Sequence, residues 1–363
     1  MTAFLAAVQA QKTTEPPAVF RTGTQRVEVT IVATRSGDKP VSDLRIEDLR
    51  LFDNNQEQII ASFEMRGSRE PTDSTSVSLG LPPPAARSQP RASIIVLDAL
   101  NTDWADQIYG REGVSRMLET LPSGDRIAIF ALGDHLSLLH DFSTDYASLR
   151  GTVEAYHGEQ PFGGAGDAGA VPNPISAQFR DPSQVGPPKA GLRHEAAYYQ
   201  EQRILTTLHA LMQISAGMNR YVGQKNLLWV SAAFPLDVKI NAGGPPVLES
   251  FHQEVERAMR EVTAAGLVLY PIDPRGVLGS FDLGGTSTMK ELAEQTGGRA
   301  FYGDNGISHL VRAALDDSRE NYVLTYSPAD YREDGSFHKI QLKTSRKGIS
   351  LRYRTGYIAG SRR

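Results

Sequence analysis

The sequence predicts an α/β protein with a doubly wound, mostly parallel sheet. That sheet is inserted in, or flanked by, a small β-sandwich built from N-terminal and C-terminal strands. Three observations predict it. The middle of the chain alternates continuous apolar runs with amphipathic helical stretches, the pattern of a parallel sheet clad on both faces. Both ends instead show period-two alternation, the mark of half-buried antiparallel strands. A Pro- and Ser-rich stretch, "LPPPAARSQP", separates the first strands from the alternating region, and proline neither donates in a ladder nor continues a helix.

The first strands lie within 21–65. Val27, Val29 and Ile31 alternate with Glu28, Thr30 and Val32, and Ser36-Gly37-Asp38 carries turn chemistry. "LRLF" and "QIIASFEM" read as a strand pair joined by Asp53-Asn54-Asn55-Gln56. Residues 1–20 read as a tail or signal remnant, and 66–91 as a linker.

The α/β part is expected over 92–319. "RASIIVLDA" is a continuous apolar strand, followed by a helix over 105–120 that ends before Pro122-Ser123-Gly124. "DRIAIFALG" and "HLSLLHDFS" are close enough in the chain to pair antiparallel, and 145–156 reads as a short helix. Residues 157–192 are Gly- and Pro-rich and read as a long loop insert, the kind of segment that in a compact domain serves a function or stays disordered. A helix near 194–216 carries Ile204, Leu208, Leu211 and Ile214 at helical spacing. The strand "NLLWVSAAF" follows. The clearest helix, 248–265, presents Leu248, Phe251, Val255, Met259 and Val262 on one face and meets Gly266 as its C-terminal cap. "LVLYPID" is the next strand, then a helix near 288–296 stopped by Gly297-Gly298, the short strand "RAFYG", and a helix over 307–319. Residues 320–360 return to strands around Tyr322, Leu324 and Tyr326, then Ile340 and Leu342, then Leu351, Tyr353 and Thr355, with "REDGS" as a hairpin turn between the first two.

Composition narrows the function classes. The net charge of -4 and the pI near 6.1 give no basic excess for nucleic acid, whose phosphates need clustered Lys and Arg. Without cysteine, disulfides, Cys-zinc sites and thiol nucleophiles are excluded. No apolar run approaches the roughly 20 residues of a membrane span. Phe4–Val8 is apolar and Val8-Gln9-Ala10 has small residues suited to a signal peptidase, but no Lys or Arg precedes it. Export and a frayed tail both fit that pattern.

In this order the chain carries "RIEDLRLFDNNQEQIIASFE", "IIVLDALNT", "KNLLWVSAAFP", "YPIDPRGV", "TGGRAFYG", "ENYVLTYSP" and "LRYRTGYIA". From about residue 20 to 360 it resembles bacterial von Willebrand factor A (VWA)-related proteins of the group first noted in Acidobacteria. The resemblance implies a doubly wound VWA domain and an exported protein, secreted, periplasmic or at the cell envelope, that binds a ligand or a protein or peptide partner.

The resemblance also implies where a divalent cation would sit. VWA metal-ion-dependent adhesion sites use Asp-x-Ser-x-Ser after the first strand, a Thr from a later loop and an Asp after a later strand. Here Asp98 matches the first Asp and Thr102 replaces the second Ser. Leu100 stands at the first Ser, no threonine lies between Thr152 and Thr206, and Ser231 occupies the later Asp position. One carboxylate with hydroxyls compensates a dication poorly, so Mg²⁺ or another divalent ion would bind weakly through Asp98, Thr102 and Ser231. For these residues individually, helix capping or loop hydrogen bonding reads ahead of metal binding: Asp98, Asn101 and Thr102 precede the helix that starts near Trp104. Asn101 would point away from the metal position if the strand period holds.

Other constellations are weaker. Ser231 lacks the Gly-x-Ser-x-Gly of a nucleophile elbow, and His209 and His252 sit inside helices. "GGAGDAG" at 163–169 is followed by no Gly-Lys-Ser/Thr. Asp273 ends a strand and, with Arg275, either lines the same edge or starts a turn before Pro274. Phe162, Phe179, Tyr198 and Tyr199 lie in or beside the insert, placed either to recognise a partner or to hold the loop down. The expected function is a non-catalytic binding module with a degenerate adhesion-type metal site. Its working face would hold Asp98, Asn101, Thr102, Ser231, Asp273 and the 157–192 insert. The alternatives are a hydrolase using Ser231 or a metal-bound water near Asp98, and a structural envelope protein with an inactive site.

Overall fold

The computed structural model describes residues 26–36, 39–66, 91–122, 124–159, 190–221, 223–232, 247–277, 283–317, 321–329 and 331–360. The readings of 1–20, of nearly all the 66–91 linker, of Phe162, Phe179 and Gly163–Gly169, and of most of the 157–192 insert lie outside this set. So do the side chains of Leu248 and His252.

Five strands build the central sheet: β6 (Ala92–Asp98), β7 (Arg126–Leu132), β8 (Leu136–Ser143), β9 (Lys225–Val230) and β10 (Leu267–Ile272). They lie in the order β10-β9-β6-β7-β8. All pairs are parallel except β7 with β8, which run antiparallel as expected. The "RAFYG" stretch adds a single parallel bridge, Ile272 to Phe301, in place of a full strand. Counted along the chain, this is the 3-2-1-4-5-6 order of a doubly wound sheet, whose direction reverses between the first and fourth strands. Those two strands are β6 and β9.

The continuous apolar runs are explained by cladding on both faces. Ile94 and Val96 of β6, with Leu227 and Trp229 of β9, face three helices: α3 (Ala190–Met218), α4 (Val247–Ala265) and α5 (Leu283–Thr296). Ile95 and Leu97, with Leu228 and Val230, face α1 (Trp104–Thr120), α2 (Tyr146–Ala155) and α6 (Ile307–Asp317). Successive strand residues point to opposite faces, so both faces of each strand are largely apolar, and the buried polar pair at their start, Asn226 and Ser93, is hydrogen-bonded at 3.1 Å. Gly266 (φ +68°) and Gly297 (φ +87°) end α4 and α5 in the left-handed region that favours glycine.

The remaining strands form two antiparallel sheets. One is ordered β13-β1-β11-β5, with β2 (Lys39–Pro40) on β1 (Val27–Arg35). It contains β5 (Ile60–Arg66), β11 (Asn321–Tyr326) and β13 (Ile349–Tyr353). The other, ordered β14-β12-β3-β4, holds β3 (Leu49–Asp53), β4 (Gln56–Gln58), β12 (Phe337–Thr344) and β14 (Gly356–Ile358). Val29, Ile31 and Leu324 of the first share one core with Leu51, Ile340 and Leu342 of the second. Asp53 is buried there, yet fully engaged: its carboxylate accepts from Tyr326 and Tyr357 at 2.9 Å each and meets His338 Nδ1 at 2.9 Å.

Two turn readings need correction. Asp53 and Gln56 do close a two-residue hairpin, with Asn54 and Asn55 at φ +46° and +67° as its tight turn requires. Only Gln56–Gln58 pairs back, however; from Ile60 the chain crosses to the other sheet and pairs with β11. "REDGS" is likewise no hairpin turn, because β11 and β12 belong to different sheets. Turn residues between alternating strands look alike whether the chain returns beside its neighbour or crosses to another sheet.

The central layers meet the antiparallel sheets through specific contacts. Thr355 N–H donates to Gln295 O at 3.1 Å, and Asn321 Nδ2 donates to Gln224 Oε1 at 2.7 Å. Arg352 pairs with Asp317. At Gly297 a Cβ would stand 2.8 Å from the Arg354 backbone nitrogen, so this helix end packs on β13 only as glycine.

Candidate functional site at the carboxyl edge of the central sheet

Asp98 is the last residue of β6, and Ser231 follows the last residue of β9. Both therefore sit at the reversal point, where ligands bind in open α/β sheets. Alternation also puts Asp98, Trp229 and Ser231 on one side, since Val96 is paired with Trp229 in register and each is two residues from the next.

Asp98 is 2 % exposed. Its Oδ1 accepts the Asn101 backbone N–H at 3.0 Å. Its Oδ2 accepts Asn101 Nδ2 at 2.9 Å and the Trp229 indole Nε1 at 2.9 Å. The Ser231 hydroxyl also hydrogen-bonds to it. Burial raises the Asp98 pKa above the ordinary carboxylate value, opposed by the hydrogen bonds from Asn101, Trp229 and Ser231. Asn101 extends the network, donating from Nδ2 to Thr207 Oγ1 of α3 at 2.9 Å.

The capping reading of these residues is corrected. Helix α1 does start at Trp104, but its N-cap is Asp103 and has no side-chain cap bond. Asp98 instead closes a local turn onto Asn101, and Thr102 Oγ1 accepts from the Ala232 backbone N–H of the neighbouring strand end at 3.1 Å. Asn101 turns toward Asp98, not away, because the strand ends at Asp98 and its period no longer governs position 101. Leu100, at the place of a hydroxyl ligand, is 5 % exposed and packs in the core beneath α3.

Asp273 is fully buried at the end of β10 and is held by its own turn. Its carboxylate accepts from the Arg275 backbone N–H at 2.9 Å and from Arg275 Nε and Nη2 at 3.0 and 2.7 Å. The turn reading holds, and the Arg275 guanidinium is engaged within it. Gln107 of α1 donates to Thr102 O and Glu159 O, both at 2.8 Å, so it ties the β6 loop to the end of the segment after α2. Beside Asp98, lined also by Thr102, Asp106, Gln107, Arg111 and Tyr156, the structure leaves a cavity of about 10 Å³. That is no more than one water molecule needs.

Around this closed node the surface is open. Trp104 is 44 % exposed, Tyr302 41 % and Val277 48 %. Asp103, Asp134, Glu159 and Asp304, on the loops of the same edge, are exposed. Tyr198 is exposed and meets Tyr199 edge-on at 5.8 Å between ring centroids. His209 is exposed on α3. Sequence reasoning missed Trp229, Thr207 and Gln107 as members of the network. The strand period placed Trp229 on the Asp98 side, but nothing local linked Thr207, more than a hundred residues away, to Asn101.

No family model matches the chain, and no curated protein matches it. Among solved structures it is similar to a von Willebrand factor type A protein from Catenulispora acidiphila, at 9 % identity and a TM-score of 0.36, covering 94 % of this chain and 74 % of that one. It is similar to the vWF domain of the type V pili tip protein Mfa5 from Porphyromonas gingivalis, at 12 % identity and a TM-score of 0.34, covering 64 % and 96 %. It is also similar to proximal thread matrix protein 1 of the mussel byssus with a zinc-occupied MIDAS motif, at 13 % identity and a TM-score of 0.32, covering 63 % and 48 %. The chain's own strand order and switch point make its α/β part a doubly wound sheet with one antiparallel edge strand.

Proposed function

We propose that the chain is a non-catalytic binding module whose working face is the carboxyl edge of the central sheet. In this reading residues 92–319 form the binding domain, carried on a small β-sandwich made from 21–65 and 320–360. The partner is a protein or peptide met outside the cytoplasm or at the cell envelope. The observation that carries the reading is the contrast at that edge. The chemistry-bearing side chains Asp98, Ser231 and Asp273 are buried and hydrogen-bonded, Asp98 with Ser231 and Asp273 with Arg275, while large apolar groups, Trp104, Tyr302 and Val277, stand exposed among acidic residues. Exposed aromatics at a loop edge are the groups that anchor protein contacts. The acidic rim favours a partner surface carrying Lys or Arg.

A hydrolase is less well supported. Ser231 is 0 % exposed and its hydroxyl bonds a carboxylate, whereas an activated serine needs an adjacent base and access to substrate. The adhesion-type metal reading also fits poorly, since the groups matching its ligands are spent on hydrogen bonds within the protein.

The test is affinity capture from cell-envelope and secreted fractions of the source cells, using wild type and Trp104→Ala/Tyr302→Ala. Both variant sites are exposed, so the fold is expected to persist, checked by circular dichroism. The reading predicts a partner retained by wild type and lost by the double variant, with affinity falling as salt rises. Equal retention by both proteins would move the binding face elsewhere.

A further inference from the structure

We infer that the Asp98 node is a cation-free latch, in which the Trp229 indole and the Asn101 amide fill the place a divalent ion would take. An ionised carboxylate offers about four lone-pair positions. Four donors converge on Asp98: the Asn101 N–H, Asn101 Nδ2, Trp229 Nε1 and the Ser231 hydroxyl. An indole N–H donates only and can never turn an acceptor toward a metal. Trp229 is 0 % exposed within a packed core, so it has nowhere to retreat.

The other oxygens do not make up a ligand set. Thr102 Oγ1 already accepts from Ala232, and Leu100 brings no oxygen. Asn101 Oδ1 is a buried acceptor without a hydrogen-bond partner among the described residues, but it is a single neutral oxygen. Mg²⁺ demands near-octahedral oxygen ligation anchored by carboxylate. Among the described residues the cavity beside Asp98 is about 10 Å³, the space of one water, where Mg²⁺ would keep several.

The latch has a structural consequence. Asp98 ends β6, Trp229 and Ser231 belong to β9 and its loop, and Asn101 reaches Thr207 on α3. One carboxylate thus ties two central strands and the helix above them, a task that a bound ion would otherwise share. The proposed binding face above it then works without cations. This deepens the reading of that face but is tested apart from it, because cation binding is read without any partner.

The chain has two tryptophans, so Trp104→Phe leaves Trp229 as the sole indole reporter. In this variant, Mn²⁺ titration read by tryptophan emission separates the alternatives, since an ion bound at Asp98 takes the carboxylate from the indole that donates to it at 2.9 Å and changes its emission saturably. The latch predicts only weak, linear, collisional quenching, the same in Trp104→Phe/Asp98→Asn. It also predicts no saturable heat when Mg²⁺, Mn²⁺ or Ca²⁺ is titrated calorimetrically into wild type. Saturable quenching or heat that disappears with Asp98→Asn would overturn it. Should the Asp98 variant fail to fold, saturable quenching in Trp104→Phe that excess Mg²⁺ reverses would overturn it equally.

Discussion

Replacing Asp98 by alanine separates a latch from a metal ligand through stability alone. A carboxylate kept for a cation is a burden on the metal-free protein, and its removal is neutral or stabilising. A carboxylate that satisfies four donors leaves them stranded when it goes. The Trp229 N–H is the costly one, since the ring is fully buried and cannot reach water. An orphaned buried donor costs about 1–3 kcal/mol. Asn101 is half-buried and recovers part of its loss from solvent, and the Ser231 hydroxyl rotates, so each counts near the low end. Relief of the carboxylate's own desolvation offsets part of this, as removing a buried ion does. The net expectation is a loss of about 2–3 kcal/mol for Asp98→Ala. The assay is urea unfolding followed by circular dichroism, with EDTA throughout. Trp229→Phe closes the cycle, and the double variant should be more stable than the two losses predict by about 1–2 kcal/mol, the coupling expected of residues in direct contact. An Asp98→Ala protein as stable as wild type in EDTA, or more stable, refutes the reasoning.

Three further outcomes follow from the same geometry. Burial raises the folded-state pKa of Asp98, so the native protein holds this proton more tightly than the unfolded chain does. The Asp98 contribution is thus largest in acid and is lost as pH rises through the raised value; unfolding curves should show the gap between wild type and Asp98→Ala widening as pH falls from neutral toward 4. Arg275→Ala removes the guanidinium from the fully buried Asp273 carboxylate, leaving it the backbone N–H of residue 275, and should cost about 3 kcal/mol, with Arg275→Lys in between because an ammonium cannot reproduce the fork; denaturant midpoints check both. Gly297→Ala imposes a side chain at φ +87° and against the Arg354 backbone, so it should lower stability by about 2 kcal/mol or more and raise hydrogen exchange in β13 beside the end of α5.

The central sheet was legible because its strands leave no ambiguity. "IIVL", "LLWV" and "LVLYP" are apolar at consecutive positions, which a strand covered on both faces tolerates. Glycines at 266 and 297 marked helix ends for the plain reason that both adopt positive φ. The antiparallel sheets were less legible in their connections. Strand period reports which face a residue takes but not which neighbour the strand finds, so the departure of β5 from β4 and of β12 from β11 left no local signal. At the site, the positions of Asp98 and Ser231 at one edge followed from strand ends. Their partners did not. Capping was one natural reading of Asp98-Ala-Leu-Asn-Thr before a helix, and it failed because Asp98 closes a turn onto Asn101 and accepts from Trp229, more than a hundred residues away, before the helix begins at Trp104. Long-range hydrogen bonds of this kind leave no imprint on local spacing.

The most direct test of the latch is the indole ¹⁵N–H spectrum of tryptophan-labelled protein, in which the two ring signals are assigned by Trp104→Phe. The Trp229 resonance is predicted far downfield, protected from exchange and unmoved by saturating Mg²⁺, as befits an N–H given to the Asp98 carboxylate at 2.9 Å. A Trp229 signal that exchanges freely, or that shifts when Mg²⁺ is added and returns with EDTA, would show that the carboxylate serves a cation instead.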